Sequence, residues 1–168
     1  MRPLALLAAT VAVLAGGAFA VAARADTTAP PWGPETPNFN LEVILLPTAG
    51  GSGFGHVKFR QPNDAAKIVY LDTWVRDLAP NHSYLLQRAV DTNVDDNCTS
   101  SMWLTLGQGT TQPPQTISTD DRGTGSAALY RNLPALVGTA FDIHFRVIDA
   151  GTMAPVLESA CYQFTVSL

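Results

Sequence analysis

From Phe39 onward, apolar residues recur with the two-residue period of strands that bury one face. Phe39 to Leu46 reads as a strand ended by Pro47, and Thr48 to Gly53 as a glycine-rich turn. Phe54 to Arg60 alternates through Val57 and Phe59 before Gln61-Pro62-Asn63-Asp64 turns the chain. Ile68 to Val75 is rich in β-branched and aromatic residues, and Leu78-Ala79-Pro80-Asn81 is a tight connection into Ser83 to Val90. Two shorter runs follow, Met102 to Leu106 and Thr116 to Ser118, and Asp120-Asp121-Arg122-Gly123 predicts a turn with a left-handed glycine. Gly125 to Tyr130 is the next strand. The clearest alternation places Phe141, Ile143, Phe145 and Val147 inward, with Asp142, His144 and Arg146 outward. Asp149-Ala150-Gly151 leads into a last strand, Val156 to Val166, with Tyr162, Phe164 and Val166 on one face and Cys161 on the other. No segment has a sustained helical period with caps. About eight strands separated by Gly, Pro and Asp turns predict an all-β fold, an antiparallel sandwich or barrel.

The residues before this pattern are of a different kind. Met1-Arg2 is a short positive start, Leu4 to Phe19 is apolar, and Ala23-Arg24-Ala25 has the small side chains a signal peptidase pocket admits. Residues 1–25 therefore read as a signal peptide cut between Ala25 and Asp26. An uncleaved anchor is the alternative, although the run is poor in Leu and Ile. Residues 26–38, with four prolines in DTTAPPWGPETPN, read as an extended linker or arm, and 39–168 as a single domain. No later apolar run is long enough to span a bilayer, so the expectation is a protein secreted, extracellular or periplasmic, without a membrane span after cleavage. The formal charge is −4 for the whole chain and becomes −6 once Arg2 and Arg24 leave with the signal. That balance argues against nucleic acid and against anionic membranes as partners, since both need basic patches. Cys98 and Cys161 are the only cysteines, and two in an exported chain are expected to pair.

Candidate chemistry is sparse. Asp91, Asn93, Asp95 and Asn97 set oxygen donors at alternate positions, the spacing with which a loop wraps Ca²⁺. Asp96 stands where such a loop needs its glycine and Met102 where it needs its closing Glu, so a solvated acidic loop is the plainer reading. No Gly-x-Ser-x-Gly elbow precedes a helix. Asp120 and Asp121, adjacent on a turn, point apart and serve the turn. Asn81-His82-Ser83 and Asn97-Cys98-Thr99 have the form of glycosylation sequons.

The order of features resembles the copper–zinc superoxide dismutase family across most of residues 41–168. It is carried by Phe59-Arg60-Gln61, Trp74-Val75-Arg76-Asp77-Leu78 leading to His82-Ser83-Tyr84, Asp91, and Cys98-Thr99-Ser100. Further on come Thr119-Asp120-Asp121-Arg122-Gly123, Gly138-Thr139-Ala140-Phe141-Asp142-Ile143-His144, and Ala160-Cys161. The resemblance implies an immunoglobulin-like Greek-key sandwich with a loop cysteine joined to the last strand. It does not carry over the activity. Leu85 and Gln87 occupy the places of the family's first His-x-His copper pair, and no His lies between Cys98 and Asp120, where its zinc ligands belong. Glu158 stands where the family has an arginine that attracts its anionic substrate. Only His144 matches a copper-ligand position, and copper redox chemistry needs several nitrogen ligands. Alone, His144 reads as an exposed imidazole on a polar strand face.

These residues lead to an exported, non-enzymatic module without a cofactor. It binds an unidentified protein or cell-surface partner, or builds an extracellular structure, positioned by its proline-rich arm. Trp74, Trp103 and Tyr84 are candidate contact aromatics, with core packing as the plainer role for most of them. The alternative is a metal-dependent or redox enzyme on the same scaffold, using His144 with a rearranged Cu/Zn ligand set or Ca²⁺ in the acidic loop.

Overall fold

The computed structural model describes residues 39–48, 50–62 and 65–167. The expected signal peptide, its expected cleavage site and the expected proline-rich arm lie outside the described residues, as do parts of the 48–53 and 61–64 turns. Ten strands follow in order: β1 Phe39–Pro47, β2 Phe54–Gln61, β3 Ile68–Arg76, β4 Ser83–Asp91 and β5 Leu104–Thr105, then β6 Thr116–Ser118, β7 Gly125–Asn132, β8 Ala140–Asp149, β9 Pro155–Ser159 and β10 Tyr162–Thr165. Eight form one antiparallel path, β5-β4-β8-β9-β1-β2-β3-β7, with β6 on β4 and β10 on β8. The all-β expectation holds, and it takes the form of a curled sheet.

The curl brings the two ends of the path together. Leu106 N–H donates to the Leu86 carbonyl on β4, while Gly109 N–H donates to Tyr130 O and Tyr130 N–H to Gly107 O on β7. A single backbone segment, 106–109, thus joins both edges and satisfies groups that an open sheet would leave unpaired. β3 to β4 and β7 to β8 each cross from one end of the path to the other.

Alternation sets the core as the sequence predicts. Val43 and Leu45 of β1, Val57 and Phe59 of β2, Val69, Leu71 and Val75 of β3, and Phe145 and Val147 of β8 are buried. Phe59 packs edge-on against Phe164 at 4.8 Å and Phe145 at 6.2 Å between ring centroids, a favourable quadrupole geometry. Gln61 is wholly buried, with Nε2 donating to the Ser167 carbonyl (2.6 Å) and Oε1 accepting from the Ser167 N–H (3.0 Å). That pair ties the C-terminal segment to the end of β2.

The predicted last strand is interrupted. Pro155–Ser159 and Tyr162–Thr165 run along the same edge of β8, separated at Ala160-Cys161. There Phe145 N–H donates to Ser159 Oγ (2.9 Å) where a ladder carbonyl would otherwise accept, and Cys161 turns out to meet Cys98. The disulfide joins them with Cα atoms 5.3 Å apart, and among the described residues no cysteine is free. Gly123 has the predicted left-handed conformation, φ 75°.

Candidate functional site

The outer face of β4 and β8 is where the sequence places its candidate chemistry. It is not the exposed face the alternation predicts. Asp142 is fully buried and His144 and Arg146 are half-buried. The reason is the staple: Cys98–Cys161 holds the 98–103 segment across these strands, so outward from the sheet is inward to the loop. Trp103 lies over His144 with ring centroids 4.5 Å apart, and the Arg146 guanidinium carbon is 4.0 Å from the Trp103 ring centroid. His144 Nε2 is 3.1 Å from the Ser100 carbonyl, and Arg146 Nε donates to Gln87 Oε1 at 2.8 Å. Gln87, at a place where the family resemblance would call for an imidazole, is buried and also donates to Thr105 Oγ1 (2.9 Å).

The acidic loop is organised around its own backbone. Asp91 Oδ2 accepts from the N–H groups of Thr99 (3.0 Å) and Ser100 (3.1 Å). Asp95 Oδ2 accepts from Asn93 Nδ2 (2.5 Å) and Asp95 Oδ1 from the Asn97 N–H (3.1 Å), while the Asp95 N–H donates to Asp142 Oδ2 (2.9 Å). Among the described residues, no three His, Cys, Asp or Glu side chains are gathered around one point where they could share an ion. His144 is far from forming a set with His56 and His82, which pair elsewhere: His56 with Glu42 beneath Trp74, and His82 with Asp149.

The three candidate contact aromatics do not form a patch. Tyr84 is buried, its hydroxyl accepting from the Ala79 N–H (3.0 Å). Trp103 is half-buried in the loop over β8, and Trp74 lies exposed on β3.

The feature that sequence reasoning missed is on the inside. At the end of the curl where β3 and β8 begin and β4 and β7 finish, the core is open. A cavity of about 410 Å³ lies there, walled by Phe59, Leu71, Val90, Phe141, Ile143 and Phe164. Pro134 and Thr139 of the β7–β8 loop also line it and are exposed, so the cavity reaches solvent at that end. Its wall contains two cations, Arg88 on β4 and Arg131 on β7. Burial, and then the neighbouring Arg131 charge, push the Arg88 guanidinium below its ordinary pKa. The signal was present in the alternation: Arg88 is in phase with inward Leu86 and Val90, and Arg131 with inward Ala127 and Leu129.

The chain matches no protein-family model, no curated protein and no solved structure. Its functional reading therefore rests on its own geometry.

Proposed function

We propose that this chain is an exported, non-enzymatic binding module whose ligand site is the apolar cavity at the end of its curled sheet. The observation that carries the reading is the cavity itself. At about 410 Å³ it falls in the range of small-molecule sites, roughly 300–1,000 Å³, and it far exceeds the voids of a close-packed interior. Each of the three histidines is held by a neighbouring side chain. His82 is paired with Asp149, His56 with Glu42, and His144 sits beneath Trp103.

Export is supported by the N-terminal leader features of the sequence and by the disulfide, which oxidising compartments favour. Among the described residues no helix is long and apolar enough to cross a membrane. The superoxide dismutase-like order of features enters this proposal as a scaffold alone, with the metal-ligand positions given over to packing and hydrogen bonding.

The test uses the purified, disulfide-bonded protein and the neutral fluorophore N-phenyl-1-naphthylamine. Saturable fluorescence enhancement at one fluorophore per chain is expected, and Val90→Trp or Leu133→Trp, each filling the cavity from a different wall, abolishes it with the circular dichroism unchanged. Enhancement that does not saturate, or that persists in both folded variants, refutes the site.

A further inference from the structure

The cavity wall is chemically asymmetric. On β4 the inward positions are Tyr84, Leu86, Arg88 and Val90, and on β7 they are Ala127, Leu129 and Arg131. Both guanidinium groups thus occupy places that strand periodicity reserves for core residues. Among the described residues neither has a carboxylate partner. The ion pairs among the described residues are His56–Glu42, Arg60–Asp72, Arg76–Asp77 and His82–Asp149.

Acids on the neighbouring strand positions do not reach the cavity. Asp91 and Asp142 alternate with Val90, Phe141 and Ile143, so they lie on the other face of the sheet, where they hold the 95–100 backbone. A third cation, Lys67, is at the same end and donates to the Ala135 carbonyl of the β7–β8 loop (2.8 Å). Two half-buried like charges beside an apolar hollow are unfavourable in isolation and favourable around an anion. Guanidinium forks are also suited to carboxylate oxygens, which they bind through paired N–H donors.

The rim adds a second property. Leu136 and Val137, in the same β7–β8 loop, are 78% and 50% exposed. An apolar rim above an apolar hollow with cationic groups in its wall is complementary to a molecule with one long apolar portion and one negative group.

We propose that the cavity binds a single-chain anionic amphiphile, a carboxylate of the fatty-acid class, with its chain among Phe59, Phe141 and Phe164 and its headgroup on Arg88 and Arg131. This rests on the cavity-binding reading above. Taking a methylene to fill about as much space as a water, roughly 30 Å³, the cavity accepts a chain of about a dozen carbons.

The experiment is displacement of N-phenyl-1-naphthylamine by laurate, 1-dodecanol and dodecyltrimethylammonium, which share a chain and differ in headgroup. Laurate is expected to compete about tenfold or more better than dodecanol, the increment of a charge-assisted hydrogen bond, with the ammonium weakest. Arg88→Met and Arg131→Met should each erase laurate's advantage and leave dodecanol unchanged. Because each also removes one of two mutually repelling charges, the ligand-free variants should melt no lower than the parent, which separates lost recognition from lost folding. Equal competition by laurate and dodecanol overturns the headgroup assignment while leaving the apolar site standing. Failure of the fluorophore to bind at all overturns both.

Discussion

Removing the disulfide is the perturbation with the most calculable consequence. Cys98 and Cys161 are separated by 63 positions. Closing a loop of that length lowers the entropy of the unfolded chain by an amount worth about 4 kcal/mol at 25 °C in the chain-entropy description. Against the roughly 5–15 kcal/mol that hold an ordinary domain together, the Cys98→Ala/Cys161→Ala protein should remain folded at 25 °C and melt about 12–20 °C lower. The loss should be read from urea denaturation followed by far-ultraviolet circular dichroism, with a urea dependence steeper than the parent's, because the unlinked unfolded chain exposes more surface. A local effect should accompany the global one. The 98–103 segment covers His144 and Arg146 through Trp103, so without the staple His144 should react faster with diethylpyrocarbonate than it does in the parent, at a urea concentration where both are folded. A loss below about 1 kcal/mol with unchanged His144 reactivity would refute the reasoning, because it would mean that loop packing alone sets the structure of this face and that the enclosed chain is already restricted when unfolded.

Three further perturbations probe other parts of the sheet. At Gly123 an added Cβ would lie 2.1 Å from the Leu78 carbonyl oxygen at a φ of 75°, so Gly123→Ala should cost about 2 kcal/mol or more; a neutral urea midpoint would contradict the contact. Gln61→Ala leaves the Ser167 N–H and carbonyl without their side-chain partners and should cost about 1–3 kcal/mol, visible in the same unfolding assay and as faster exchange of the Ser167 amide. The Thr152 backbone N–H, and then the His82 side chain, hold the Asp149 carboxyl down to about 2. Its folded pKa lies below its ordinary value, so the stabilisation it gives is complete above about pH 4 and fades as the pH falls toward 2. The difference in urea midpoint between the parent and Asp149→Asn should therefore shrink as the pH falls from about 4 toward 2; a difference that grows over that range would reverse the assignment.

Strand positions were readable because a two-residue alternation is a local property. Phe141, Ile143, Phe145 and Val147 point inward as the sequence says. What alternation does not report is whether the outward side stays in water. His144 and Arg146 were on the correct face of β8, yet they are half-buried, because a covalent bond between residues 63 positions apart lays a loop on them. The break at Ala160-Cys161 has the same origin together with the Ser159 hydroxyl that takes the Phe145 N–H. The two cavity arginines were missed for a different reason. A strand read as Gly125 to Tyr130 stops short of Arg131, and within Leu85-Leu86-Gln87-Arg88-Ala89-Val90 a charge in phase with Leu86 and Val90 reads as part of an apolar strand. A charge at an inward position is the local irregularity by which this site could have been found.

The two faces of β4 and β8 now explain one another. A strand pair normally gives one side to the core and the other to water. Here the water side is covered by a stapled loop and carries the buried Asp142, the Trp103–Arg146 stack and the Gln87 hydrogen bonds. The rigidity of this end is therefore supplied from outside the curl. That arrangement permits the inner side to stay incompletely packed between Val90 and Phe141 without collapse, since β4 and β8, two of the strands that wall the cavity, are held by contacts the cavity does not share. A cavity maintained in this way is preformed, so that occupancy by the proposed ligand would require little ordering. The disulfide-free protein should accordingly lose affinity for laurate through a looser cavity wall, although Cys98 and Cys161 line none of it. Unchanged laurate affinity in that variant, measured where it is fully folded, would show that the inner core holds the cavity open by itself.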